Sequence, residues 1–264
     1  MTRIYTLVNQ KGGVGKTTTA INMGAYLGYY GQRVLLVDLD PQANATSCLG
    51  VDKRAVKSGT YEVLIGAVPL GAQVLHNPRF KLSLLPSSPA LAGAEVELVD
   101  LAERETRLRA ALLPAKERYD YILIDCPPSL SLLTINGLTA AENGVLIPVQ
   151  CEYLALEGLG MLTQTLNRVQ AAISPELKVR GVVLTMYDGR TRLAMDVVKE
   201  VRRFFPNQVF QTIIPRSIRL AEAPSYGQPI TIYAPDSNAA KAYMALAGEV
   251  LEQDGIKIPT MEEL

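Results

Sequence analysis

The stretch Asn9-Gln10-Lys11-Gly12-Gly13-Val14-Gly15-Lys16-Thr17-Thr18-Thr19 decides the fold. A short apolar run, Ile4-Tyr5-Thr6-Leu7-Val8, precedes it and reads as a β-strand, and a helix is predicted from about Lys16 to Tyr30. Strand, glycine-rich turn and helix is the context that a phosphate-binding loop requires. Glycine admits positive φ and a close backbone approach. Successive N–H groups can then converge on an anion, with the positive end of a helix behind them. Residues Gly12, Gly13, Val14, Gly15 and Thr18 are the expected backbone cradle. Lys16 is placed to meet the β- and γ-phosphates, and Thr17 to offer a hydroxyl to Mg²⁺.

The loop is not the standard form. The pattern G-x-x-x-x-G-K-[ST] wants glycine where this chain has Gln10, and an extra lysine, Lys11, stands directly before Gly12-Gly13. A nucleotide already held by Lys16 has no need of Lys11. Its length and charge suit a phosphate approached from outside the loop.

Two further strand ends carry carboxylates. Val34 to Val37 is a continuous apolar run, as a central parallel strand should be, and Asp38 and Asp40 close it before Pro41. Residues two apart share a side of a strand, and ligands in open α/β sheets bind at the carboxyl ends of strands. Both are therefore candidates for contact with the water around Mg²⁺ and for orienting a nucleophilic water. The run Tyr121-Ile122-Leu123-Ile124-Asp125, stopped by Pro127-Pro128, ends the same way. Taken alone, Asp125 reads equally as a cap of the next helix or as a magnesium residue. Beside the loop and the Asp38/Asp40 pair, magnesium is the better reading.

These segments resemble the ParA/MinD family of P-loop ATPases, whose deviant loop reads K-G-G-x-G-K-[ST]. The resemblance extends to Asp38-Leu39-Asp40-Pro41-Gln42-Ala43-Asn44, to Ile124-Asp125-Cys126-Pro127-Pro128-Ser129, and to Ile214-Pro215-Arg216 with Glu222-Ala223. It covers nearly the whole chain. It implies that Lys11 reaches the partner's ATP across a dimer interface, that Asp40 positions the attacking water, and that Asp38 stands behind the magnesium site. Pro215 and Arg216, with Met186, would border the adenine. It further implies ATP and Mg²⁺ as ligands, a homodimer formed with ATP, non-specific double-stranded DNA binding, and a ParB/Spo0J-like activating partner. The alternative is a MinD-like cell-division switch acting on a membrane or protein target. The C-terminal segment lacks the basic amphipathic helix that a membrane surface would need.

The totals agree with this class. Lys and Arg together number 26, as do Asp and Glu, so the chain is no polycation and any nucleic-acid contact must come from a local patch. From Glu176 to Pro224 there are nine Lys/Arg against five Asp/Glu. A solvated helix face or an anion-facing surface would each produce that surplus. The candidates for phosphate contact are Arg192, Lys199, Arg202, Arg203, Arg219 and Lys241. Cys48, Cys126 and Cys151 form no disulfide or metal spacing. No signal peptide or membrane-length apolar run is seen, which predicts a cytoplasmic protein; the resemblance implies that it is nucleoid-associated when ATP-bound. The first strand begins a few residues from the start, so site-specific repression through an N-terminal helix-turn-helix is not expected, and DNA binding is expected to ignore sequence.

The expected fold is α/β: a three-layer P-loop NTPase domain with a mostly parallel twisted sheet flanked by helices. One domain is expected over 1–264, with 255–264 as a flexible tail. Residues 42–60 read as loop, His76 as a loop residue, and Pro89 to about Leu113 as one long amphipathic helix. A helix from Tyr153 to Ile173 starts with an apolar cluster of Leu154, Leu156, Leu159, Met161 and Leu162. Another from about Thr191 to Phe205 should bury Leu193, Val197, Val201 and Phe204.

Overall fold

The computed structural model describes residues 1–153 and 155–259. Eight strands form one sheet: β1 Arg3–Leu7, β2 Val34–Asp38, β3 Leu75–Asn77, β4 Leu82–Leu85, β5 Tyr121–Asp125, β6 Val145–Gln150, β7 Val179–Tyr187 and β8 Val209–Pro215. Their order is β3-β4-β2-β5-β1-β6-β7-β8, and every pairing is parallel except β3 with β4. The eleven α-helices among the described residues are α1 Lys16–Tyr29, α2 Asn44–Cys48, α3 Thr60–Leu64, α4 Leu91–Glu97, α5 Arg107–Leu112, α6 Leu132–Ala140, α7 Ala155–Ala172, α8 Arg192–Phe204, α9 Ile218–Glu222, α10 Ile230–Tyr233 and α11 Asn238–Gln253.

The central strands are apolar on both sides because both sides are covered. Tyr5 and Leu7 of β1, Leu36 of β2 and Leu123 of β5 point to one face, where they pack with α1 and α11. Ile4, Leu35, Val37, Ile122 and Ile124 point to the other, against α3, α4, α5 and α6. On that second face, α7 and α8 cover Ile147 and Val149 of β6 and Val182 and Leu184 of β7. Helix α1 approaches closely: a Cβ on Gly28 would come within 2.1 Å of the Lys81 carbonyl oxygen, so only glycine fits there.

The structure corrects five of the sequence-based expectations. Residues 42–60 are not all loop, since α2 forms within them. His76 lies in the antiparallel edge strand β3, with its Nδ1 3.1 Å from the Ser83 hydroxyl. The segment 89–113 is broken into α4, a 3₁₀ turn and α5, and Glu103 takes a positive φ of 54° in the break. Side chains of α6 account for this. Asn136 Nδ2 and Thr139 Oγ1 donate to the carbonyls of Arg104 and Glu105, and Asn136 Oδ1 accepts from the Leu108 N–H at the start of α5. The buried face of α8 is Ala194, Val197 and Val201, while Leu193 and Phe204 are 46% and 48% exposed. Both sets have helical spacing, and the packing chose the one that puts the small Ala194 next to the sheet. Finally, residues 255–258 are not a free tail, because Ile256 and Ile258 pack against the core under α11. Of the apolar start of α7, Leu159 and Leu162 are buried, Leu156 is half-buried, Met161 is exposed, and Leu154 lies outside the described residues.

Candidate active site

The order of strands places the site. β1 is flanked by β5 on one side and β6 on the other, so the chain leaves β1 at the point where the sheet's winding changes direction. The loop between β1 and α1 turns there on Gly13 (φ 74°) and Gly15 (φ 88°), both in the left-handed region that glycine adopts without strain. Gly15 also caps α1. The loop is held from two sides. Asn9 donates from Nδ2 to the Pro148 carbonyl (2.8 Å) and accepts from the Lys11 N–H (3.0 Å). Thr185 of β7 donates its hydroxyl to the Val14 carbonyl (2.8 Å).

The two lysines of the loop differ in environment. Lys16 is 7% exposed, and its Nζ donates to the Lys11 carbonyl at 3.3 Å. Burial lowers its pKa, against the pull of the Asp125 and Asp40 charges. Lys11 is half-buried and lies beside Gln150, Ala155 and Gly158, at the entry to α7.

Parallel register sets the carboxylates together: Asp38 of β2 stands opposite Asp125 of β5. Both are fully buried. The Thr17 hydroxyl donates to Asp125 Oδ2 at 2.7 Å, while Oδ1 of the same carboxylate is buried without a hydrogen-bond partner. Burial, and then the nearby Asp38 charge, push the Asp125 pKa up. Burial likewise lifts Asp38 to about 6, although Thr46 donates to its Oδ2 from both N–H (2.8 Å) and hydroxyl (2.7 Å). Two buried carboxylates side by side, one with an unbonded oxygen next to a threonine hydroxyl, form a hard oxygen donor set. That fits Mg²⁺.

Asp40 is 6% exposed and firmly set. Its N–H donates to Asp38 Oδ1 (3.2 Å), its Oδ1 accepts from the Gln42 N–H (2.8 Å), and its carbonyl accepts from the Ser87 hydroxyl (2.8 Å). Among the described residues its Oδ2 accepts no hydrogen bond.

This geometry has counterparts. A family model described as an AAA domain matches residues 2–179. The chain is 54% identical over 249 residues to the chromosome-partitioning ATPase Soj of Thermus thermophilus, covering 94% of this chain and 95% of that one. It is 50% identical over 258 residues to the chromosome partitioning protein ParA of Myxococcus xanthus, covering 97% and 90%. This chain belongs to the Soj/ParA family of partitioning ATPases. A solved Mycobacterium smegmatis structure, described as cobyrinic acid a,c-diamide synthase with bound ATP analog and magnesium, is 40% identical with a TM-score of 0.85, covering 99% of this chain and 100% of that one. Like its relatives, the Soj/ParA chain is an ATPase that works with ATP and Mg²⁺.

The expected base pocket of this Soj/ParA ATPase is a cavity of about 340 Å³ lined by Gly15, Thr18, Met186, Pro215, Arg216 and Tyr243. Met186 holds φ at 52°, an uncommon conformation for a side chain of this size. Arg216 contributes to the wall, yet its Nη2 is paired with Glu152 Oε1 at 2.8 Å.

The six proposed phosphate-contact cations do not form one patch. Arg192, Lys199, Arg202 and Arg203 lie along α8 on one side of the sheet, while Lys241 lies on α11 on the other. Arg192 and Arg203 are themselves about 16 Å apart along the helix, at roughly 1.5 Å per residue. Arg192 and Lys199 share Asp196, and Arg219 pairs with Glu222 at 3.0 Å. Sequence reasoning missed Thr46, Ser87 and Asn9, which hold Asp38, Asp40 and the loop. Thr46 follows the Asp-x-Asp segment by only six residues, but it becomes readable as a ligand of Asp38 only once residues 44–48 are seen to be helical.

Proposed function

We propose that this ATPase is a DNA-partitioning switch in which Mg²⁺-ATP joins two copies face to face, the dimer binds DNA without regard to sequence, and a ParB/Spo0J-like partner triggers hydrolysis and release. The observation that carries this reading is the pair of lysines on one loop. Lys16 is buried within its own site and Lys11 stands outside it. A lysine in that position suits the nucleotide of a second copy. Exposed apolar side chains near the loop, Leu130 (51%), Tyr153 (80%) and Met161 (51%), support a face that a second copy covers.

Within each site, position supports the following roles. Lys16 and the backbone of Gly12, Gly13, Val14, Gly15, Thr17 and Thr18 hold the phosphates. Thr17 and Asp125, with Asp38 behind them, would hold magnesium, which would neutralise phosphate charge. Asp40 is fixed through one oxygen and orients the attacking water through the other. Lys16 and the partner's Lys11 stabilise the charge that develops on the transferring phosphoryl group. Met186, Pro215 and Arg216 bound the base. The protein is cytoplasmic in this reading, and on the nucleoid while ATP-bound.

Binding to random-sequence duplex DNA with ATP, ADP or no nucleotide, at several salt concentrations, tests the proposal. Association that requires ATP and weakens steeply with salt is the expected result, since contacts to phosphates release counterions. ATP-dependent dimers that ignore DNA in every state would redirect the reading to a MinD-like switch with a membrane or protein target. Replacing Lys11 tests the other half. Lys11→Ala is expected to leave ATP binding by the monomer within about twofold, and to weaken ATP-dependent dimerisation by roughly 30-fold or more, the usual loss when one partner of a desolvated charge pair is truncated. Sedimentation velocity with ATP reads this directly, and an unchanged dimer would remove Lys11 from the interface.

A further inference from the structure

Away from the nucleotide site, near the start of β5, a cavity of about 520 Å³ opens between α3, α5 and the segment leading into the strand. Its walls are mainly apolar, from Leu64, Val68, Leu70, Val74, Ala111 and Tyr119. Glu103 and Arg107 also line it. Arg107 is tied to the wall by hydrogen bonds to the carbonyls of Leu64 and Ala102, and the Glu103 carboxylate accepts from the Thr106 hydroxyl. A second cleft, of about 570 Å³, adjoins it and shares Gly71, Val74, Arg118 and Tyr119 as common wall. The second cleft has the opposite chemistry. Arg33, Lys81, Arg118 and His76 line it, with Gln32 and Ser83, and among the described residues no carboxylate does. Asp120 neutralises Arg33 at 2.8 Å, and the Lys81 ammonium rests over the Tyr29 ring at 5.3 Å from its centre, a contact that leaves its charge uncompensated. The Arg118 side chain is exposed at the junction of the two spaces.

Apolar room of this volume with a few polar groups at its mouth is the ordinary form of a small-molecule site. Here an oily compartment stands beside a cationic one, with Arg118 and Tyr119 bordering both. We infer that the two together bind a single-chain anionic amphiphile, its apolar body in the first cavity and its phosphate or carboxylate head between Arg118 and Lys81. Nothing in the nucleotide mechanism uses this region, so the inference stands apart from the partitioning reading.

Calorimetric titration of the full-length protein with dodecyl phosphate, kept below its micelle concentration, tests it. Inorganic phosphate and dodecanol are the controls. One site per chain is expected, at least roughly 100-fold tighter than for inorganic phosphate, because each buried methylene contributes a few-fold. The double variant Arg118→Ala/Lys81→Ala should weaken binding roughly tenfold or more by removing the head's partners. Ala111→Phe should weaken it by filling the cavity, and unchanged ATP binding in both variants would show that they fold. Dodecyl phosphate binding no better than inorganic phosphate, or indifferent to both changes, would overturn the site. Sedimentation with phosphatidylglycerol vesicles separates two sources of the same chemistry. Wild-type protein that sediments while the variants do not indicates a membrane lipid, and tight binding of the monomeric probe without sedimentation indicates a free amphiphile. Vesicles that carry down the variants as well as the wild type would count against the site.

Discussion

Lys16→Ala is expected to abolish ATP binding at physiological nucleotide concentrations. The reason lies in how the side chain is held. The ammonium is almost fully buried, bonded to the Lys11 carbonyl and set in the field of Asp125 and Asp40. Its burial cost is already met by the fold before any phosphate arrives, so the cation is pre-placed. Truncating one member of a buried, hydrogen-bonded charge pair costs about 2–5 kcal/mol. That corresponds to a loss of affinity of roughly 30-fold to 5,000-fold. Removal also takes a positive charge away from beside Asp125 and Asp40, which makes the site less favourable for the phosphates. Lys16→Met, which keeps the length of the chain without the charge, should lose affinity to the same degree while melting close to the wild type. Equilibrium binding of a fluorescent ATP analogue to both variants measures the effect. Affinity retained in Lys16→Met would show that the buried ammonium does not meet the phosphates.

Asp40→Ala is the second large effect, and it should fall on turnover alone. Asp40 makes no described contact with the glycine loop, so ATP affinity is expected to stay within a few-fold. Hydrolysis should drop by about 10²–10⁴-fold, the usual range for a side chain that handles the reacting water or its proton. The ATP-bound dimer should then persist, because nothing discharges it. The substitution leaves the scaffold largely intact, since the Asp40 N–H bond to Asp38 and the carbonyl bond from Ser87 are both main-chain. The one lost partner is the Gln42 N–H, which sits at a partly exposed turn. Phosphate release under single-turnover conditions, with sedimentation run in parallel, gives both readings. Wild-type hydrolysis in Asp40→Ala would take this residue out of the mechanism.

These two residues were legible in the sequence for a physical reason. A phosphate loop is a local object: a strand, positive-φ glycines, a lysine and a hydroxyl, all within about a dozen positions. Its chemistry needs those residue types in that order, whatever surrounds them. The same holds for a continuous apolar strand ending in aspartate. Parallel sheets bury both faces, so such strands read without alternation, and their ends line the ligand edge. The alternation of strand and helix then implied the layered architecture. The base-pocket assignment came only by resemblance, since Met186 and Pro215 have no chemistry that marks them as neighbours of an adenine; the fold adds that they line one cavity.

What the tertiary structure alone decided has a common cause, which is competition between equal local choices. Segment 89–113 has the periodicity of one helix, but Asn136 and Thr139, some thirty positions away, capture its carbonyls and break it. Helix α8 carries two adjacent apolar stripes, and contact with the sheet selected Ala194, Val197 and Val201 over Leu193 and Phe204. The surplus of cations between Glu176 and Pro224 is real in the count, but folding pairs several of them with nearby carboxylates, Arg192 and Lys199 with Asp196 and Arg219 with Glu222. Thr46, Ser87 and Asn9 hold Asp38, Asp40 and the glycine loop through hydrogen bonds that no spacing announces. The sequence by itself determined that this chain is a P-loop ATPase with aspartates at two parallel strand ends, because those features depend on local backbone form. The set of the carboxylates, the orientation of the outer helices and the neighbouring apolar and cationic cavities beside Arg118 were decided by long-range packing. Such contacts exist only when distant segments meet.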